Sequence, residues 1–174
     1  MSTILFVLFI IVAHILATNH YDFSKNTVSD LGSQKYGRKL IMQTGFLLFG
    51  LSLTTGIVLN GLTWRVLPIF VYGLSIAMTG IFCTKPFFEP ATYSATQSTL
   101  HSTFAQIAGI SFSAGILTQL FFVTDYNTRL VHLFFFVLII GFSILFWLLP
   151  NYQGIVQRLL YLTSFIWLIK YYKP

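Results

Sequence analysis

Six long apolar runs, 3–18, 40–62, 66–84, 103–124, 130–149 and 155–169, dominate the chain and dictate what it can fold into. At a rise of about 1.5 Å per residue, runs of this size suit a hydrocarbon layer about 30 Å thick. Backbone N–H and C=O groups find no water partners in lipid, so a spanning segment must be a helix or a strand of a closed barrel. Six segments of this length do not close a barrel. The expected fold class is therefore all-α, a polytopic membrane protein folded as a six-transmembrane-helix bundle, with residues 1–174 forming a single transmembrane domain. Composition agrees, since 56% of the residues are hydrophobic and only 8% are charged, against roughly 25% charged in a soluble domain. An ordinary cytosolic enzyme, a disordered tail and a disulfide scaffold are excluded, and the lone Cys83 has no partner for an intramolecular bridge.

The first run is short enough to resemble a signal-peptide core. No Lys or Arg precedes it, however, and Ala17-Thr18-Asn19-His20 offers no convincing cleavage site, so it reads as a retained first span. Connections 61–65, 125–129 and 150–154 are tight, whereas 20–39 and 85–102 are long. With six spans the two long loops share one face of the membrane, where function concentrates on a rigid bundle. Tyr21, Trp64, Tyr126, Trp147, Tyr152, Tyr171 and Tyr172 lie near span ends, as interfacial aromatic belts require.

The net charge of +6 comes from basic residues scattered between apolar runs, with no basic patch interleaved with aromatics, so nucleic acid is excluded as a partner. The expected partners are the lipid bilayer and a lipid or small-molecule ligand, and a homo-oligomer stays open. No basic residue precedes the first span, whereas Lys25, Lys35, Arg38 and Lys39 follow it. The positive-inside rule then puts the long loops in the cytoplasm of a cell-membrane protein.

Ionisable and polar groups in or beside spans are costly in lipid, which makes them the candidates for a site. His14 falls in the last turns of the first span, His20 and Asp22 follow it, and His101 opens the fourth. On that fourth helix His101, Ala105, Gly109 and Ser113 recur every fourth residue, a small-residue stripe expected to turn His101 inward, while Phe135 on the next helix is expected to face lipid. Gln43, Thr44, Ser52, Thr55, Gln106 and Gln119 are expected to make the interior partly polar. In Asn26-Thr27-Val28-Ser29-Asp30-Leu31-Gly32, Ser29 or Asp30 is suited to cap a turn and Gly32 to take a positive φ. The candidate polar site is thus His14, His20, Ser29, Asp30 and His101, between loops 20–39 and 85–102. Three imidazoles and a carboxylate have the ligand types of a Zn²⁺ site, or of a carboxylate-oriented acid–base histidine. No HxxxH, HExxH or HxH spacing supports a metal, and no cofactor is clearly implied. Asp125 and Arg129 are spaced to pair and, with His132, read as a solvated helix start. There is no G-x-S-x-G elbow, Walker A loop, Rossmann fingerprint or CxxCH.

The short first span, the segment Asn26 to Gly32 with its Ser-Asp-Leu-Gly, the paired second and third spans ending in Gly80-Ile81-Phe82, and the fourth span opening at His101 together resemble the prokaryotic integral membrane family called domain of unknown function 998. Members of that family tend to carry Phe-Pro and an acidic residue after the third span. Here Phe82-Cys83-Thr84-Lys85-Pro86 intervenes and Glu89 comes later. The resemblance implies a fold and a membrane location rather than a reaction. The function expected is ligand binding in a polar pocket between the long loops. Rival expectations are a membrane hydrolase or transferase centred on His101 and Asp30, and a small transporter or flippase, with the balance leaning away from an enzyme.

Overall fold

The computed structural model describes residues 2–88 and 92–172. Glu89, singled out above, lies outside the described residues. The described chain is helical throughout, with six α-helices: α1 (Ser2–Ile15), α2 (Lys39–Asn60), α3 (Leu67–Ile81), α4 (Ala95–Phe122), α5 (Tyr126–Leu148) and α6 (Gln153–Lys170). Each helix packs on its neighbours in the chain, most extensively α2 on α3 and α3 on α4. Contacts between Phe6 and both Tyr161 and Phe165 bring α1 onto α6, and Phe112 against Trp167 joins α4 to α6.

The outer surface identifies the solvent. Leu59, Phe121 and Trp147 are each at least three-quarters exposed, and on α5 Leu133, Phe134, Val137 and Ile144 all point outward. An apolar exterior of this extent is stable against lipid chains and not against water. Helices α2, α4 and α5 are long and apolar enough to cross a membrane, while α1 and α3 are shorter apolar helices of 14 and 15 residues. At about 1.5 Å per residue these two are only about 21–23 Å long, shorter than their apolar runs imply. The first run ends early because residues 16–20 leave the helix, and the third because Phe82 takes an extended conformation. Conversely α4 begins eight residues before the expected start at 103. Ser94 caps it by accepting a bond from the Gln97 N–H at 3.4 Å, so the Ser- and Thr-rich stretch read as loop is its polar first turns.

Close helix packing is concentrated on α2 and α3. A Cβ at Gly50 would lie 2.4 Å from the Gly73 carbonyl oxygen and from the Ala77 nitrogen, and one at Gly80 would meet the Gln43 carbonyl oxygen at 2.7 Å. These glycines let two backbones touch, which side chains would prevent. The expected stripe on α4 does not serve this purpose: Gly109 has open space around it and Ala105 is exposed. The physical reason is helical drift, since each four-residue step overshoots a full turn by about 40°. The buried face of α4 instead runs through His101, Ala108, Ser111, Phe112, Gly115, Ile116 and Gln119. Phe135, expected to face lipid, is buried against Tyr171 at 5.3 Å, and its neighbour Phe134 faces outward. Thr44, Ser52, Thr55 and Gln106 are likewise exposed rather than interior, whereas Thr54 and Gln119 are buried.

Candidate functional site

The first long loop is a folded structure. Asp22 Oδ1 accepts from the N–H groups of Ser24 (2.8 Å) and Lys25 (3.2 Å), closing an Asx turn. Next, the Thr27 N–H donates to Asp30 Oδ2 (2.7 Å) while the Asp30 N–H donates to Thr27 Oγ1 (3.2 Å). This reciprocal pair, built like a capping box, holds the short 3₁₀ turn Ser29–Gly32. Gly32 does not adopt a positive φ. Among the described non-glycine residues that conformation belongs to Lys35, with φ 64°. Val28 and Leu31 are fully buried, so the turn is pressed into the bundle rather than held in solvent.

Two clamps fix it there, neither legible from local motifs. Arg158 of α6 donates through Nη1 to the carbonyls of Phe23 (2.9 Å) and Asn26 (3.2 Å), and through Nη2 to His14 Nε2 and the Tyr21 hydroxyl. Its guanidinium lies 3.9 Å from the Phe23 ring centroid. Gly154 makes the approach feasible, because a Cβ there would sit 2.4 Å from the carbonyl oxygens of Phe23 and Asn26. Gln157, one turn along, accepts from the Val28 N–H at 2.6 Å. The second clamp is Gln34, whose amide donates to the Ser94 carbonyl (2.9 Å) and accepts from the Ser94 N–H (2.8 Å), while its own N–H donates to the Thr84 carbonyl (3.0 Å). The two long loops therefore meet on one face of the bundle. The second spans residues 82–94 rather than 85–102.

His101 enters this face from α4 and is 6% exposed. Its Nδ1 lies 2.8 Å from the Phe82 carbonyl and 3.2 Å from the Thr79 carbonyl. Two acceptors require Nδ1 to carry the proton, so in the neutral ring Nε2 holds the lone pair. His101 thereby satisfies the end of α3, which explains why that helix stops where it does. Asp30 lies within electrostatic reach of both His101 and Tyr21. Burial pushes the Asp30 carboxyl above the usual carboxylate range, opposed by its bonds to Thr27 and by the charge of His101. Burial also drives the Tyr21 hydroxyl upward, against the pull of Arg158.

The five expected residues thus divide. Asp30 and His101 are within reach of each other's charge, with no hydrogen bond between them. His14 donates through Nδ1 to the Ile10 carbonyl and accepts from Arg158, so it is part of the Arg158 clamp. Ser29 is a distant acceptor for Gln157 at 3.5 Å. His20 stands apart, exposed, in an open depression of about 290 Å³ lined by Thr18, His20, Lys35, Tyr36, Gly37, Arg38 and Phe88. Among the described residues no three His, Cys, Asp or Glu side chains are grouped so as to hold a metal ion. Beside these residues are two buried hydroxyls without a hydrogen-bond partner, Ser33 Oγ and Tyr36 OH.

On the opposite face Asp125 does not pair with Arg129. Its carboxylate caps α5 by accepting from the Thr128 hydroxyl (2.6 Å) and N–H (2.7 Å), which hold it below the usual carboxylate range. Arg129 Nε donates to the Val123 carbonyl at 2.8 Å. His132 is buried rather than part of a solvated helix start, and its Nδ1 accepts from the Trp167 indole N–H at 3.0 Å.

No curated protein and no solved structure matches the chain. The profile of the family described as "Protein of unknown function (DUF998)" matches residues 1–171, in agreement with the resemblance carried by Ser29-Asp30-Leu31-Gly32 and His101, and the chain belongs to that family.

Proposed function

We propose that this membrane protein crosses the bilayer six times as a single domain and uses the face formed by its two long loops to bind a lipid headgroup or small molecule, with Asp30 and His101 at the centre. The observation that carries the reading is the cost of Asp30. A half-buried carboxylate within reach of a buried imidazole's charge, on a loop that carries two partnerless buried hydroxyls, is a poor choice for stability alone. Such arrangements are retained where a ligand supplies the missing partners. The Gln34 and Arg158 clamps support the same reading, because they hold these groups in fixed positions as a binding site requires. The basic residues of the first long loop, Lys25, Lys35, Arg38 and Lys39, favour a cytoplasmic location for this face in the cell membrane.

One observation favours a second reading, a hydrolase or transferase. The carbonyls of Phe82 and Thr79 fix the His101 tautomer, as a general base needs. Native mass spectrometry of protein purified in a mild detergent separates both readings from a purely structural role. Binding predicts a co-purifying small molecule or lipid that Asp30→Asn and His101→Gln each deplete while the variants remain folded. Catalysis predicts that His101→Gln enriches the bound species instead. Equal occupancy in all three proteins, or none in any, contradicts both.

A further inference from the structure

Arg158 brings a positive charge to the loop face and meets it with neutral groups. Its Nη1 holds the Phe23 and Asn26 carbonyls, and its Nη2 lies 2.5 Å from both His14 Nε2 and the Tyr21 hydroxyl. The proton on His14 is placed by its other nitrogen: Nδ1 donates to the Ile10 carbonyl, one turn back on α1, at 2.6 Å. Nε2 therefore presents a lone pair, and the guanidinium donates to it. The Tyr21 hydroxyl gives its own proton to the Thr27 carbonyl at 2.9 Å, so it too meets Arg158 as an acceptor. No described carboxylate bonds this pair. Asp22 Oδ1 accepts from the Ser24 and Lys25 N–H groups, and Asp30 Oδ2 accepts from the Thr27 N–H. The charge of Asp30 acts on Tyr21, as does the neighbouring Tyr36, whereas the charge that acts on His14 is that of Arg158. Arg38, bonded to the Leu16 carbonyl just beyond α1, adds a further cation on this side. The imidazole itself is only half-buried.

We infer that the His14–Arg158 contact is a proton-operated latch on the first long loop: a proton on His14 Nε2 removes the acceptor, sets an imidazolium against the guanidinium and frees residues 21–26 from α6. Two like charges at hydrogen-bond distance, with no carboxylate between them, repel. The guanidinium stands on a long flexible stem, so it is the group that moves, and its bonds to Phe23, Asn26 and Tyr21 go with it. The bond from the Ile155 N–H to the Ser24 carbonyl (3.2 Å) then holds that stretch on α6, while Gln157 keeps its bond to the Val28 N–H. Acid thus loosens the start of the loop and leaves the Asp30 turn seated. The latch does not depend on what the loop face binds.

The test places a nitroxide at the exposed Lys25, as Lys25→Cys in the full chain carrying Cys83→Ser, in phosphatidylcholine nanodiscs. Electron paramagnetic resonance then follows the mobility of this stretch from about pH 8 to about pH 4.5, a range around the ordinary imidazole value of about 6.5. With His14 and Arg158 in place, the mobile fraction is expected to grow reversibly by about tenfold on acidification, as a like-charge pair at this distance requires. In His14→Gln the amide oxygen accepts from Arg158 at every pH, so the label stays ordered throughout. In Arg158→Gln the latch is missing, so the label is mobile throughout. Each variant tests the titration alone, because neither should keep the wild-type pH profile. Mobility that does not change with pH in the parent chain overturns the inference. So does the parent's profile retained in either variant, which would assign the change to another titrating group such as His20, Asp30 or His101.

Discussion

Asp30 is the residue at which stability and the proposed use conflict most openly. Its folded pKa lies above the ordinary value of 3.8, so folding favours the protonated acid. The resulting stabilisation is present below that value and is lost as the pH rises through the folded pKa. Thermal stability of the detergent-solubilised protein should therefore decline from about pH 4 towards neutrality, and Asp30→Asn should flatten that decline. The amide oxygen can still accept from the Thr27 N–H, so the variant keeps the turn while losing the titration. An unchanged pH slope in Asp30→Asn would remove the half-buried carboxylate from the account. Asp30 and His101 were legible because ionisable side chains beside apolar runs are costly. By the same logic Arg158, set within the apolar run 155–169, was an available signal for the clamp that it forms on the Phe23 and Asn26 carbonyls. Gln34 offered no signal, since an amide in a polar loop is unremarkable until both of its ends are seen to meet Ser94.

Helix existence was legible because long apolar runs in lipid have few structural solutions, whereas helix facing was not. The α4 stripe was read with a period of four, and the true face follows His101, Ala108 and Gly115 at a period of seven, nearer to two full turns. The glycines that do bring backbones together, Gly50, Gly73 and Gly80, stand among equally apolar residues, and only their backbone surroundings distinguish them. This gives a paired prediction. Gly50→Leu should cost at least about 1–3 kcal/mol, because the added atoms meet the α3 backbone, which cannot rotate aside as a side chain can. Gly109→Leu, with open space around it, should stay within about 0.5 kcal/mol of wild type. Denaturant titrations in detergent micelles measure both. Equal losses would mean that the α2–α3 contact is not the tight seam of the bundle.

At the scale of the whole molecule, the candidate site depends on one geometric claim: six crossings place both long loops on the same side of the bilayer. The bonds from Gln34 to Ser94 and Thr84 tie one loop to the other and so favour that arrangement. The most direct measurement is single-cysteine labelling in a Cys83→Ser background, with a membrane-impermeant thiol reagent applied to intact cells and then to inverted vesicles. Cysteines at the exposed positions Lys25, Thr92 and Asn151 should all react from one side, and those at Thr63 and Asn127 from the other. The positive-inside rule adds that the first three react in inverted vesicles. Reaction of Lys25→Cys and Thr92→Cys from opposite sides would contradict the six-crossing bundle and, with it, any site built from both loops.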